Sequence, residues 1–75
     1  MTGEARAAHA YVLPLTGPDV ELLRLVAQGL PLDSVARRLV TSERTVRRRT
    51  RAICTRLGVG APIQAVVWAA QRGLL

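Results

Sequence analysis

The 75-residue chain carries eleven basic and five acidic side chains, a formal net charge of +6 at pH 7, and 49% of it is apolar. A body this small buries only about 60% of the surface its unfolded chain exposes, which leaves little room for a deep catalytic pocket and favours a binding module over an enzyme. One cysteine, Cys54, and one histidine, His9, supply neither an internal disulfide nor a metal ligand set, and no cofactor is expected.

Residues 1–14 show no sustained period. Residues 4–13 have some helical character, but Gly3 and Pro14 bracket them, and the stretch reads as a tail or linker. It lacks the apolar run of about 7–15 residues that forms the centre of a signal peptide, and nowhere do about 20 apolar residues follow one another as a membrane-spanning helix requires. A cytoplasmic protein without a membrane partner is expected.

Residues 15–75 read as one domain. Thr16 followed three residues later by Asp19, with Pro18 in the first turn, is a helix-start signature, because the hydroxyl accepts an orphan amide and the carboxylate suits the positive helix end. Leu15, Leu22, Leu23, Val26 and Ala27 then recur at helical spacing, and Gly29 suits a left-handed termination, so a first helix is predicted over about residues 17–28. Pro31 and Asp33 open a short second helix whose apolar side is Val35, Ala36 and Leu39. After Val40 and Thr41, Ser42 is a good N-cap for a third helix running to about Leu57, before Gly58. Two helices joined by so short a turn have helix-turn-helix spacing. A fourth helix follows, with Pro62 near its start and Gly73 at its end. The fold class is therefore all-α, a four-helix bundle containing a helix-turn-helix, with a core of Leu, Val, Ile and Ala because Phe is absent.

Every basic residue is an arginine. GC-rich coding accounts for a bias of that kind but not for its placement: six of the eleven arginines lie at positions 44–56, and all five acids lie outside. On a helical wheel, Thr50, Ile53 and Leu57 fall within about 40° of Val46 and form a core-facing edge. Arg44, Arg47, Arg48 and Arg51 fall on the opposite side, while Arg49 and Arg56 lie on the flank beside Thr45. Solvated helix faces usually mix charges of both signs at i,i+4, and here Arg44 repels Arg48 and Arg47 repels Arg51. A polyanion relieves that repulsion and gains from counterion release, and the major groove admits one helix whose arginines can read guanine. Ser42, Thr45 and the first-turn amides can hold a phosphate at the positive helix end. Single-stranded RNA is less suited, since its readers stack bases on aromatics and only Tyr11 and Trp68 are present, neither on the arginine side.

The stretches Leu15-Thr16, Glu21-Leu22-Leu23, Val26-Ala27-Gln28-Gly29-Leu30, Val35-Ala36 with Leu39, and above all Ser42-Glu43-Arg44-Thr45-Val46-Arg47, continue into Ile53, Arg56-Leu57-Gly58-Val59, Ala65-Val66 and Gly73-Leu74-Leu75. In order and spacing this resembles the LuxR/FixJ/GerE-type DNA-binding domain of bacterial transcription regulators over residues 15–75. The resemblance implies a four-helix domain whose third helix enters the major groove and whose fourth helix pairs two copies on a two-fold site. It implies base contacts at Arg47, Arg48 and Arg51, and phosphate contacts at Ser42, Arg44 and Thr45, to which Arg49 and Arg56 are added from the flank. Three departures stand out. Arg49 replaces the usual His, and either reaches a phosphate or snorkels; Pro31 replaces a polar cap; Pro62 replaces a common basic residue. The resemblance implies that a receiver or ligand-binding domain usually stands N-terminal to this unit. Such a missing regulatory domain, or a regulating partner, is therefore expected.

On the fourth helix, Ala65, Val66 and Ala69 mark one apolar stripe, and Ile63, Val67, Ala70 and Leu74 mark another. A helix apolar on two sides needs two partners. Either residues 11–15 fold over the second stripe, or a second copy covers it, and a homodimer is the expectation because it also places two arginine helices at half-sites. Trp68 reads as a packing or interface residue. The alternative to DNA is an acidic protein partner on the arginine face; a membrane surface is disfavoured because no apolar anchors border that face. A sigma-factor-like helix-turn-helix, the nearest rival within DNA binding, lacks the Gly58 and Val59 ending. For catalysis, Ser34, Ser42, Cys54 and His9 show no triad spacing, and Cys54 is expected to be an ordinary buried thiol.

Overall fold

The computed structural model describes residues 14–75, so all of the tail assigned to residues 1–14 except Pro14 lies outside the described residues, with His9 and Tyr11. The described residues form four helices and no strand: α1 (Gly17–Ala27), α2 (Leu32–Arg38), α3 (Glu43–Leu57) and α4 (Pro62–Gln71). The expected all-α helix-turn-helix architecture is present, with boundaries within a residue or two of those read from the sequence.

Each helix start has its own local cause. Thr16 and Asp19 form a reciprocal capping box: the Asp19 amide donates to Thr16 Oγ1 at 3.2 Å and the Thr16 amide donates to Asp19 Oδ2 at 3.0 Å. Ser42 Oγ accepts from the Thr45 amide at 3.1 Å and caps α3. The starts of α2 and α4 have no side-chain cap, since Pro31 and Ala61 occupy those positions. At α2 the Pro31 carbonyl accepts from the Ser34 and Val35 amides, and before α4 the Gly60 amide donates to Gln64 Oε1 at 2.8 Å.

The helix ends share one device, a residue in the left-handed region. Gly29, Gly58 and Gly73 take φ values of 80°, 71° and 71°, and after α2 the same position is held by Val40 at φ 54°. There the Thr41 amide donates to the Ala36 carbonyl at 2.9 Å and the Val40 amide to the Arg37 carbonyl at 3.1 Å, the paired bonds of a Schellman ending. This ending is the turn of the helix-turn-helix. A β-branched residue pays a steric penalty in that conformation, and Val40 is 90% exposed, so no burial offsets it.

The core contains Leu22, Leu23, Val35, Val46 and Ile53, all essentially inaccessible, with Leu15, Leu25, Ala36, Cys54, Ala65, Val66 and Ala69 around them. Helices α1 and α3 each touch the other three, whereas α2 and α4 do not meet. That wide enclosure of α1 explains one departure from the wheel: Leu25, not assigned to the core, is buried, and Ala27, assigned to it, is exposed. Cys54 is buried and free, as read.

Replacing Val40 with Asn, which tolerates the left-handed region, should stabilise the fold by about 1 kcal/mol and raise the melting temperature by about 4–8 °C. Thermal unfolding of both proteins checks this; an equal or lower melting temperature for Val40→Asn would show that the turn carries no such strain.

Candidate nucleic-acid interface

Helix α3 presents two different sides. Val46 and Ile53 are sealed into the core with Cys54, Thr50 and Leu57 are half-buried beside them, and Thr50 Oγ1 donates back to the Val46 carbonyl at 2.8 Å. Because these residues are locked under α1, α2 and α4, the outer side of the helix has a fixed direction. Arg44, Arg47, Arg48 and Arg51 stand on it, all exposed. At the N-terminal end, the Ser42 hydroxyl also donates to Thr45 Oγ1 at 3.1 Å, so the two small polar residues are held together at the positive end of the helix.

The six arginines of the cluster divide by what they touch. Arg47 lies 3.8 Å from Glu43, a loose and exposed i,i+4 pair. The charge window drawn from position 44 stopped one residue short of that acid, although the spacing made the pair readable. Arg49 is half-buried and its Nη2 lies 3.5 Å from the Pro18 carbonyl, so it leans on α1 as the snorkelling alternative described. Arg56 stays more exposed than Arg49 but makes the shorter bonds: its Nη1 donates to Asp19 Oδ2 at 2.9 Å and to the Pro14 carbonyl at 3.0 Å. Among the described residues, Arg44, Arg48 and Arg51 have no acidic partner. The outward charge is thus narrower than the sequence count of six.

Asp19 is the counterpart of that inward turn. Its side chain is almost wholly buried. Burial alone raises the pKa of a carboxyl, but hydrogen bonds from the Thr16 amide, the Arg56 guanidinium and the Thr16 hydroxyl, with the charge of Arg56, outweigh it and hold the group below the ordinary 3.8. The capping box signalled Asp19 as a local helix-start residue; its pairing with an arginine at the far end of α3 had no signal in the sequence.

The outer side of α4 carries Ile63, 64% exposed, Val67, 47% exposed, and the exposed Ala70. Leu74, assigned to the same stripe, packs partly against the core, and its carbonyl accepts from Arg24 Nη2 at 3.3 Å. The Arg72 guanidinium lies 3.9 Å from the centre of the half-buried Trp68 ring. Of the segment named as an alternative cover, Leu15 is in the core, and residues 11–13 lie outside the described residues. Among the described residues no cluster of His, Cys, Asp and Glu could hold a metal ion, and no single helix is long and apolar enough to cross a membrane.

Two helices joined by a Schellman turn, the second buried on one edge and arginine-studded on the other, define a helix-turn-helix domain. The chain belongs to the luxR family of bacterial regulatory proteins, whose model matches residues 13–69. It is 39% identical over 61 residues to the transcriptional regulatory protein YdfI of Bacillus subtilis, covering 81% of this chain and 29% of that protein. It is 35% identical over 57 residues to the nitrate/nitrite response regulator protein NarL of Escherichia coli K12, covering 76% of this chain and 26% of that protein. The chain therefore spans less than a third of the length of these relatives. No solved structure matches it.

Replacing Arg56 with Met keeps most of the stem but leaves Asp19 without its cation. At neutral pH the variant should lose about 1–2 kcal/mol, the range of a charge-assisted hydrogen bond discounted for a half-exposed arginine. A lowered carboxyl pKa stabilises the fold above the unfolded value, and that contribution disappears as pH falls through the folded value. Urea midpoints should thus differ most at neutral pH and converge below the ordinary 3.8. A gap that stays constant on acidification would show that Arg56 acts through packing alone.

Proposed function

We infer that the chain binds double-stranded DNA sequence-specifically, as the output domain of a bacterial transcription regulator, with α3 lying in the major groove. The observation that carries this is the outward row of Arg44, Arg48 and Arg51, which lack acidic partners among the described residues on a helix whose other edge is fixed in the core. Such a row destabilises a free helix and is neutralised by phosphates, with counterion release as the driving force. Arg47, Arg48 and Arg51 are the base-reading residues; bidentate arginine contacts to guanine suit their position on the outer side of α3. Ser42, Thr45 and Arg44 hold backbone phosphate at the start of the helix. Arg49 and Arg56 serve the backbone only at the edge of the contact, since both are engaged with α1 and the segment before it.

A second copy joins through α4. Ile63 and Val67, with Ala70, expose apolar surface on the side facing away from the core, and Leu74 borders it. A two-fold dimer so formed sets two α3 helices at half-sites about one helical turn apart. The longer regulators similar to this chain suggest that a signal reaches the unit from another domain or a separate partner. A chromosomal target makes the cytoplasm its place of action.

Fluorescence-anisotropy titration with duplex DNA at several salt concentrations tests the reading. Log affinity should fall linearly with log salt, and Arg44→Ala should flatten the slope by about 1. Arg51→Ala should cost about 1–3 kcal/mol on a selected site and relax its base preference. Absence of salt-dependent binding would exclude DNA as the ligand. For the dimer, sedimentation velocity should show that Val67→Glu lowers the mass of a dimeric wild type to that of a monomer; an unchanged mass would clear this side of α4 of the role.

A further inference from the structure

Beside the outer arginines lies an apolar groove of about 450 Å³. Its apolar lining includes the half-buried Leu30 and Leu32 and the exposed Pro62, above the buried Val46 and Cys54 of α3, and the exposed Arg47 and Arg51 stand at the rim. The volume is within the range of about 300–1,000 Å³ typical of small-molecule sites, and an apolar lining with a few convergent polar groups is their usual composition. Val46 beneath it is 1% exposed, so the apolar surface that a ligand can cover is that of Leu30, Leu32 and Pro62. The rim is free to bind: Arg51 has no acidic partner among the described residues, and Arg47 has only the loose contact with Glu43 at 3.8 Å.

We propose that this groove binds a small amphipathic organic anion, a compact alkyl or aryl carboxylate, with its apolar body against Leu30, Leu32 and Pro62 and its carboxylate between Arg47 and Arg51. The occupant follows from the complementarity of the two parts. An apolar body removes groove surface from water, and a carboxylate accepts paired guanidinium donors, which neither a neutral hydrocarbon nor inorganic phosphate does in combination. Since Arg47 and Arg51 are also the proposed base-reading residues, bound anion and bound DNA exclude each other; this second half rests on the DNA-binding reading, and the first half does not.

The probe is sodium octanoate, titrated into the whole chain and followed by backbone amide shifts. Saturable one-to-one binding is expected in the millimolar range, the scale for a ligand of about ten non-hydrogen atoms. Arg51→Gln, at an exposed position that leaves the core intact, should weaken it about tenfold, one charge-assisted hydrogen bond. Acetate and 1-octanol, each lacking one of the two parts, should bind more weakly than octanoate. Lack of saturation, affinity unchanged in Arg51→Gln, or shifts centred on Ile63 and Val67 would each overturn the proposal. With duplex DNA present, octanoate should displace it beyond a sodium chloride control of equal ionic strength. Displacement no greater than that control would overturn the mutual exclusion. DNA that fails to bind even without octanoate removes only the DNA-binding reading, because the octanoate titration is made on the free chain.

Discussion

Val46 and Ile53, two turns apart on α3 and both sealed from solvent, fix how that helix is rotated about its own axis. Everything on its outer surface inherits its direction from them. The core they belong to is built from small aliphatic side chains, and its residues sit on all four helices, so rotating α3 would withdraw Val46 from Val35 and the α2 side while exposing Ile53 to water. Burying one such side chain is worth about 1.5–3 kcal/mol, a large share of the stability of so small a domain. The arginine row is therefore aimed by hydrophobic packing on the opposite edge, and its precision is that of the core.

The same helix also sorts its charges. Near its N-terminal end, arginines point to solvent and meet at most one acid; near its C-terminal end, Arg56 turns back to the start of α1, where Asp19 and the Pro14 carbonyl receive it. Asp19 thus closes a helix cap and anchors the far end of α3 with one carboxylate. A pair buried on its Asp19 side alone is weak evidence of net stabilisation, but it defines geometry, because the Asp19 carboxylate would be costly to bury without its cation. The division leaves a cationic strip in front and a staple behind, on residues that look alike in the sequence.

What could be read from the sequence follows from how local each signal was. The capping box, the Ser42 cap, the left-handed Gly29 and the apolar edge of α3 each depend on neighbours within about one or two turns, and all stand where they were read. The inward turn of Arg56 depends on residues 37 and 42 positions away, and no periodicity encodes it. The choice of Leu25 over Ala27 depended on how many helices enclose α1. The division of α4 into a core side with Ala65, Val66 and Ala69 and an outer side with Ile63 and Val67 was legible from spacing, whereas the retreat of Leu74 arises from the Gly73 ending that folds it back. The apolar groove was not legible, because it lies where three segments converge.

The outward strip is built from guanidinium groups alone, in a chain that contains no lysine. A guanidinium offers no amine to an acetyltransferase. Lysine acetylation therefore has no target on this surface. How much of its charge a partner meets is then set by what lies over the strip and by how strongly the surrounding ions screen it.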